Sequence, residues 1–270
     1  MDSYIFEEWN FNSCLFPSVE ATYILYLEGS DRIHNIKRQI FKNPPSTKVF
    51  LVRNKGYKKV KKPIISQTSA ADCAYSHYTA AKHALKANYN QILILEDDFI
   101  FERDLLDQYN LKKVNKFIST REFKRYFLGV VPFLLLPTLE PCHWKILSGG
   151  AAQAIIHNKQ GFGELIQDFE KDQNITLQID IYLATRGAYT FCKPLITQIF
   201  DLTENRQTSW GAGKTGDFIS WGIETLKMDN ESNGAGLEIF YFFGKYWILI
   251  LILLVIIVYF AVKHFTKKKS

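Results

Sequence analysis

The sequence predicts an α/β domain with a Rossmann-like, mostly parallel sheet flanked by helices, followed by one C-terminal transmembrane helix. Two observations predict the domain: apolar, β-rich runs alternate with helical stretches, and residues 92–95 form a short run of apolar residues only. Such a run is typical of a strand that is covered on both faces. The third observation is the long uncharged segment from Tyr246 to Val262 near the end of the chain.

In the first half of the chain the pattern predicts strands at residues 22–27, 48–52 and 92–95, and helices at residues 30–40 and 70–89. The second helix places small residues three or four positions apart, which favours close packing. Strands that alternate with helices indicate parallel pairing through right-handed crossovers.

The second half is less regular. Strands are predicted at residues 126–132 and 150–156, and Asn158 is expected to cap a helix that runs to Lys171. The apolar run 133–136 lies between two prolines, is too short to span a membrane, and is expected to belong to the core.

Composition excludes several classes of protein. The chain has 270 residues, 47% of them apolar, with 15 Gly and 8 Pro, which argues against a disordered, collagen-like or repeat protein. The formal charge of +6 is largely due to lysines in the basic tail, so nucleic acid is not an expected partner. The four cysteines form no CxxC pair, and reduced buried thiols are expected.

The segment from Tyr246 to Val262 is predicted to be a membrane anchor. It consists mainly of Ile, Leu and Val with aromatic residues near its ends, and with its flanks it can cross a hydrocarbon core of about 30 Å. Residues 1–228 then form the α/β domain, residues 229–245 a linker and juxtamembrane segment, and residues 263–270 a basic tail. The N-terminus shows no secretory signal, which predicts a cytosol-facing domain, although the basic tail favours the opposite orientation.

Three acidic residues, Glu96, Asp97 and Asp98, directly follow the predicted buried strand. In open α/β sheets the ligand crevice lies at this end of the strands. The pleat predicts Glu96 and Asp98 on one side and Asp97 on the other, and Asp98 is expected to be exposed. A divalent cation bridging to a diphosphate would relieve the repulsion of the three carboxylates. The alternative is a solvated acidic turn in which Asp98 or Asp104 caps the next helix, and the triplet alone leaves both open.

A second motif, Ser76-His77, lies on the helix that leads into this strand. A helix with a Ser-His pair, followed by an apolar strand that ends in Glu-Asp-Asp, is the arrangement of glycosyltransferase family 25, which includes lipooligosaccharide and collagen galactosyltransferases. Residues 74–101 resemble the core of that family. Weaker similarities at residues 22–32, 147–156 and 179–198 extend the resemblance over roughly residues 20–200.

The resemblance implies a GT-A-like fold and an inverting, metal-dependent transfer of a sugar, galactose or glucose first among the candidates. The donor would be a nucleotide sugar such as a UDP-sugar, and the acceptor a hydroxyl of a glycan, a lipid-linked molecule or a protein. Asp98 and Glu96 would hold manganese or magnesium. A catalytically inactive relative that serves as a membrane-tethered scaffold or binding module is the competing hypothesis.

Further roles follow from the same resemblance. Arg32, His77 and Asp97 are expected beside the donor, and Asp180 is the candidate base that takes the proton of the acceptor hydroxyl. The alternatives are that His77 is a core histidine and that Asp180 is only a helix cap. The basic stretch 53–62 would meet the donor diphosphate or anionic lipid, or is a solvated loop.

Overall fold

The structure is a computed structural model that describes residues 3–198, 200, 213–228 and 234–267. Its strands are β1 (Tyr4–Asn10), β2 (Ala21–Leu27), β3 (Lys48–Asn54), β4 (Gln91–Glu96), β5 (Phe99–Phe101), β6 (Arg125–Pro137), β7 (His143–Asn158), β8 (Ala188–Phe191) and β9 (Ile196–Gln198). Its helices are α1 (Ile33–Lys42), α2 (Ser69–Lys86), α3 (Arg103–Leu106), α4 (Gln108–Thr120), α5 (Lys159–Lys171), α6 (Gln173–Thr176), α7 (Ile179–Ala184), α8 (Gly213–Thr225) and α9 (Gly234–Lys267).

A seven-stranded sheet with the order β1-β3-β2-β4-β7-β6-β8 forms the centre of the domain. β2 pairs in parallel with both β3 and β4, as the alternation of strands and helices predicted. The second half of the sheet is mixed, because β7 runs antiparallel to β4 and to β6. The predicted α/β class is therefore confirmed, with its parallel pairs concentrated in the first half of the chain.

Apolar residues are buried on both faces of the central strands. In β4, Ile92 and Ile94 join one core cluster with α2 and α5, whereas Leu93 and Leu95 join a second cluster with α1 and α4. This alternation explains why the strand carries apolar residues at consecutive positions. The predicted cap at Asn158 is also confirmed, since its side chain accepts a hydrogen bond from the Gly161 backbone at the start of α5.

Two features differ from the expectations. β1 is an unpredicted edge strand that pairs antiparallel with β3. The run 133–136 is only partly core, since Leu135 is buried but Phe133 is half exposed. The reason is that this run continues strand β6, whose residues alternate between two environments and whose register with β7 shifts there.

Helix α9 begins inside the segment that was expected to be a linker. Leu237 and Tyr241 are each only 1% exposed, and the Tyr241 hydroxyl lies 3.0 Å from Oγ1 of Thr190. Lys245 donates to the Cys192 carbonyl at 2.8 Å, and the Trp247 indole donates to the Leu135 carbonyl at 3.1 Å. From Gly234 onward the predicted linker and juxtamembrane segment is therefore helical, and its buried residues Leu237 and Tyr241 pack onto the sheet.

The remainder of α9 has the character of a membrane span. Residues Gly236–Phe260 are long and apolar enough to cross a bilayer, by length and composition. Most side chains from Ile248 to Phe260 are exposed, in contrast to those of a core helix.

Candidate active site

A cavity of about 400 Å³ opens at the carboxyl ends of the parallel strands β2, β3 and β4. This volume lies in the range of about 300–1,000 Å³ that is typical of small-molecule sites. Five of the predicted site residues line it: Arg32, Glu96, Asp97, Asp98 and Asp180. The structure thus brings together residues that are far apart in sequence, because parallel strands end at the same edge of a sheet.

Asp98 is buried, with 8% of its surface exposed. The sequence instead predicted an exposed residue at the end of the strand. Its Oδ1 has no hydrogen-bond partner among the described residues. Burial, followed by the nearby charge of Glu96, raises the pKa of Asp98 well above its usual value. A buried carboxylate oxygen with no donor is the chemistry that a bound cation would satisfy.

Arg32 forms an ion pair with Asp97, and its Nη1 also lies 3.7 Å from Oδ2 of Asp98. The second oxygen of Asp97 accepts from the Leu27 backbone at 3.3 Å. Burial raises the pKa of Asp97, while Arg32 opposes that rise. Strand β4 ends at Glu96, so residues Asp97 and Asp98 lie in a turn. The alternation predicted from the pleat therefore stops at Glu96, and the side chains of Asp97 and Asp98 both approach Arg32.

Glu96 faces helix α2. Its Oε1 lies 3.3 Å from Nε2 of His77 and 3.8 Å from Sγ of Cys73. His77 has no exposed surface and is not among the residues that line the cavity. Helix α2 packs this face onto the sheet, which leaves His77 behind Glu96, and a role of His77 beside the donor stays a prediction.

Asp180 lies in the first turn of α7 and is half-buried. Its carboxylate is close enough to the Cys73 thiol to raise the thiol pKa, although burial is the larger cause and Glu96 the next. Asp180 therefore adds a further carboxylate to the acidic lining of the cavity.

A basic loop also lines the cavity. Residues 55–59, from the stretch expected to meet a diphosphate, lipid or solvent, contribute Lys55, Lys58 and Lys59 to its lining. The cavity is therefore lined both by cations and by the acidic triplet, as a site for a metal–diphosphate pair requires.

Lys62 is a residue whose role the sequence did not indicate. Its side chain is fully buried and forms an ion pair with Asp72 of α2, and it also donates to Asn54. The Tyr57 backbone donates to the other oxygen of Asp72 at 3.0 Å. These contacts fasten the basic loop to α2. In the sequence Lys62 is one of six cations in ten residues, so nothing distinguished it from its solvated neighbours.

A second cavity, of about 580 Å³, shares Arg32, Asp97 and Asp98 with the first and is otherwise lined mainly by α1 and by the segment around Phe101. The Arg32–Asp97 pair therefore lies at the junction of two cavities.

Comparison with known proteins gives one family match. Residues 31–129 match the family described as glycosyltransferase family 25 (LPS biosynthesis protein). This segment holds Arg32, the basic loop, α2 and the acidic triplet, but not Asp180. The predicted resemblance to this family and the prediction of a glycosyltransferase are confirmed by the match. A comparison with curated proteins finds no match.

Solved structures give weaker likenesses. A protein from STIV is similar at 12% identity, with a TM-score of 0.39, over 69% of this chain and 87% of that one. A glycosyltransferase involved in the glycosylation of the major capsid of PBCV-1 is similar at 7% identity, with a TM-score of 0.32, over 64% of this chain and 92% of that one.

Proposed function

We propose that this chain, a glycosyltransferase by its match to family 25, binds a nucleotide diphosphate sugar and a divalent cation in the cavity at the strand ends. In this proposal it transfers the sugar, with inversion, to a hydroxyl of a glycan, lipid-linked or protein acceptor. The observation that carries the proposal is the buried Asp98 carboxylate with one unsatisfied oxygen, which lines a cavity that is also lined by the lysines of the basic loop.

The residues present fit a hard cation such as manganese or magnesium. Asp98 and Glu96 supply carboxylate oxygens, the ligand type that these ions prefer. When bound, the cation would neutralise the charge that develops on the leaving diphosphate. It would also satisfy Asp98 Oδ1, which otherwise lacks a donor among the described residues.

The basic loop is proposed to hold the diphosphate. Lys55, Lys58 and Lys59 line the cavity with Arg32, and a lysine ammonium binds phosphate as a point charge. Asp97 is then a positioning residue, because its two oxygens accept from Arg32 and from the Leu27 backbone. Glu96 is held in turn by His77.

Asp180 is proposed as the general base. Its carboxylate would accept the proton of the acceptor hydroxyl while the oxygen attacks the anomeric carbon, and the nucleoside diphosphate leaves with the electron pair of the broken bond. Attack from the face opposite the leaving group gives inversion. Asp180→Asn should then lower transfer to the acceptor far more than binding of the donor.

We also propose that Gly236–Phe260 anchors the domain in a membrane. The contacts of Tyr241, Lys245 and Trp247 with the domain fix the direction in which the helix leaves it. The catalytic domain is proposed to face the cytosol, which protease protection of sealed vesicles tests directly.

The experiment that tests the function is a screen of nucleotide sugars for manganese-dependent hydrolysis by the full-length chain. We expect turnover of one class of donor, loss of turnover with EDTA, and loss in Asp98→Asn. An absence of both turnover and nucleotide binding across the panel would contradict the proposal and favour the inactive scaffold.

A further inference from the structure

A cluster of three metal-ligating side chains lies on the α2 side of the acidic triplet. Cys73 and His77 are four residues apart on α2, so both project from the same face of the helix. Glu96, the last residue of β4, meets them across the helix–sheet interface. Their ligand atoms lie within 4.8 Å of one another.

Two of the three distances between the ligand atoms are close to those around a tetrahedral cation. Zinc bonds of about 2.1 Å to nitrogen, 2.0 Å to oxygen and 2.3 Å to sulfur, at tetrahedral angles, place ligand atoms about 3.3–3.6 Å apart. The His77 Nε2 to Glu96 Oε1 distance is 3.3 Å, and the Cys73 Sγ to Glu96 Oε1 distance is 3.8 Å. Binding of a cation would therefore change these two distances by only a few tenths of an ångström.

The ligand atoms of this cluster favour a different cation from the one proposed at Asp98. Thiolate and imidazole favour zinc and related transition metals, whereas carboxylate oxygens alone favour magnesium or manganese. Cys73 and Glu96 line the cavity but His77 does not, so the fourth position of a three-ligand site would open towards the cavity.

The electrostatics of the cluster also favour a cation. The carboxylates of Glu96 and Asp180 both lie close to the Cys73 thiol. The same negative charges attract a dication, and a thiol that coordinates zinc loses its proton. Binding would therefore release one proton from sulfur to solvent and form the metal–sulfur bond.

We propose that Cys73, His77 and Glu96 form a binding site for zinc, with a fourth position open to the cavity. The site is separate from the hard-cation position at Asp98 but shares the Glu96 carboxylate with it. The proposal rests on the geometry of the cluster and stands whether or not the chain transfers a sugar.

The test is titration of the full-length chain in detergent with cobalt(II), a spectroscopic substitute for zinc, in the presence of a phosphine reductant. We expect an intense near-ultraviolet thiolate-to-cobalt absorption that saturates near one equivalent and is displaced by zinc. Cys73→Ser should abolish this absorption and Glu96→Gln should weaken cobalt binding at least tenfold, with the melting temperature recorded for each variant.

Three controls separate this site from others. Cys14→Ser and the double variant Cys142→Ser/Cys192→Ser remove the other thiols and should keep the absorption. Asp98→Asn should also keep it, even though it is expected to lose manganese-dependent nucleotide binding. No thiolate absorption in the unmodified chain, or an undiminished absorption in folded Cys73→Ser, would overturn the proposal.

Discussion

Oδ2 of Asp98 lies 3.7 Å from Nη1 of Arg32, while Oδ1 of Asp98 is buried without a donor among the described residues. The charge of Asp98 is thus only partly compensated by Arg32, because Arg32 is primarily paired with Asp97. Burial raises the pKa of such a carboxylate, and an additional cation that enters the cavity would stabilise its charged form.

Arg32→Met should lower the free energy of unfolding by about 1–3 kcal/mol, because Asp97 would keep its buried position without its partner. The matched control is Arg53→Met, which breaks an ion pair with Glu28 at the same cavity but with about a third of each side chain exposed. We expect Arg53→Met to lower the free energy of unfolding by about 1 kcal/mol or less. Urea unfolding of the two variants provides the comparison, and equal losses would argue against a special role of the Arg32 pair.

Lys62→Met should lower the free energy of unfolding by about 3–5 kcal/mol, because it leaves the Asp72 carboxylate buried without its cation. The adjacent Lys61 is exposed, so Lys61→Met should change stability by less than about 0.5 kcal/mol. The double variant Lys62→Met/Asp72→Asn should recover part of the loss. If Lys62→Met unfolds no more easily than Lys61→Met, the basic loop is not fastened as described.

Stability should fall in mild acid because of His143. Burial, assisted by the charge of Lys113, lowers the pKa of His143 from 6.5 to about 4. Between these pH values the unfolded chain binds a proton at this residue and the folded chain does not, so stability is lost as the pH falls. The loss from this residue reaches about 3 kcal/mol at the lower pH.

The measurement is urea unfolding at several pH values between 6.5 and about 4 for the unmodified chain and for His143→Gln. The slope of stability against pH should be shallower in the variant, whatever its absolute stability. Parallel slopes would show that His143 does not contribute as stated.

Two truncations separate the domain-bound and lipid-exposed parts of α9. A chain that ends after Trp247 keeps the contacts of Tyr241, Lys245 and Trp247, and it should remain folded and leave the membrane fraction. A chain that ends after Met228 loses the buried side chains of Leu237 and Tyr241 and should be destabilised by several kcal/mol, since each such truncation costs about 2–5 kcal/mol.

The measurements are membrane fractionation and thermal unfolding in detergent. Equal stability of the two truncated chains would contradict the packing of α9 onto the sheet. Continued membrane association of the chain that ends after Trp247 would contradict the assignment of the anchor.

Much of the site could be predicted because it depends on local patterns. The apolar run before Glu96 is buried on both faces, and parallel strands bring Arg32 and the acidic triplet to one edge of the sheet. The burial of Asp98 could not be predicted, because it depends on the turn after β4 and on the side chains packed around it.

Other features depend on contacts between distant parts of the chain. β1 is an edge strand whose paired residues in β3 lie 38 to 50 positions away, and its polar residues interrupt the apolar pattern of a strand. Lys62 is distinguished from its neighbours by contacts such as those with Asp72 and Asn54, which the fold brings to it. The Cys73–His77 spacing on a predicted helix was visible in the sequence, but the approach of Glu96 to both was not.

The most direct test of the central claim is calorimetric titration of the full-length chain in detergent with UDP, in the presence of manganese and in the presence of EDTA. Asp98→Asn is the test variant, and Asp104→Asn, whose carboxylate instead pairs with Lys193 at 2.6 Å, is the control. We predict saturable UDP binding that requires manganese, is retained in Asp104→Asn and is lost at least tenfold in Asp98→Asn without a fall in melting temperature. UDP binding that is equally strong with EDTA, or unchanged in Asp98→Asn, would contradict the claim.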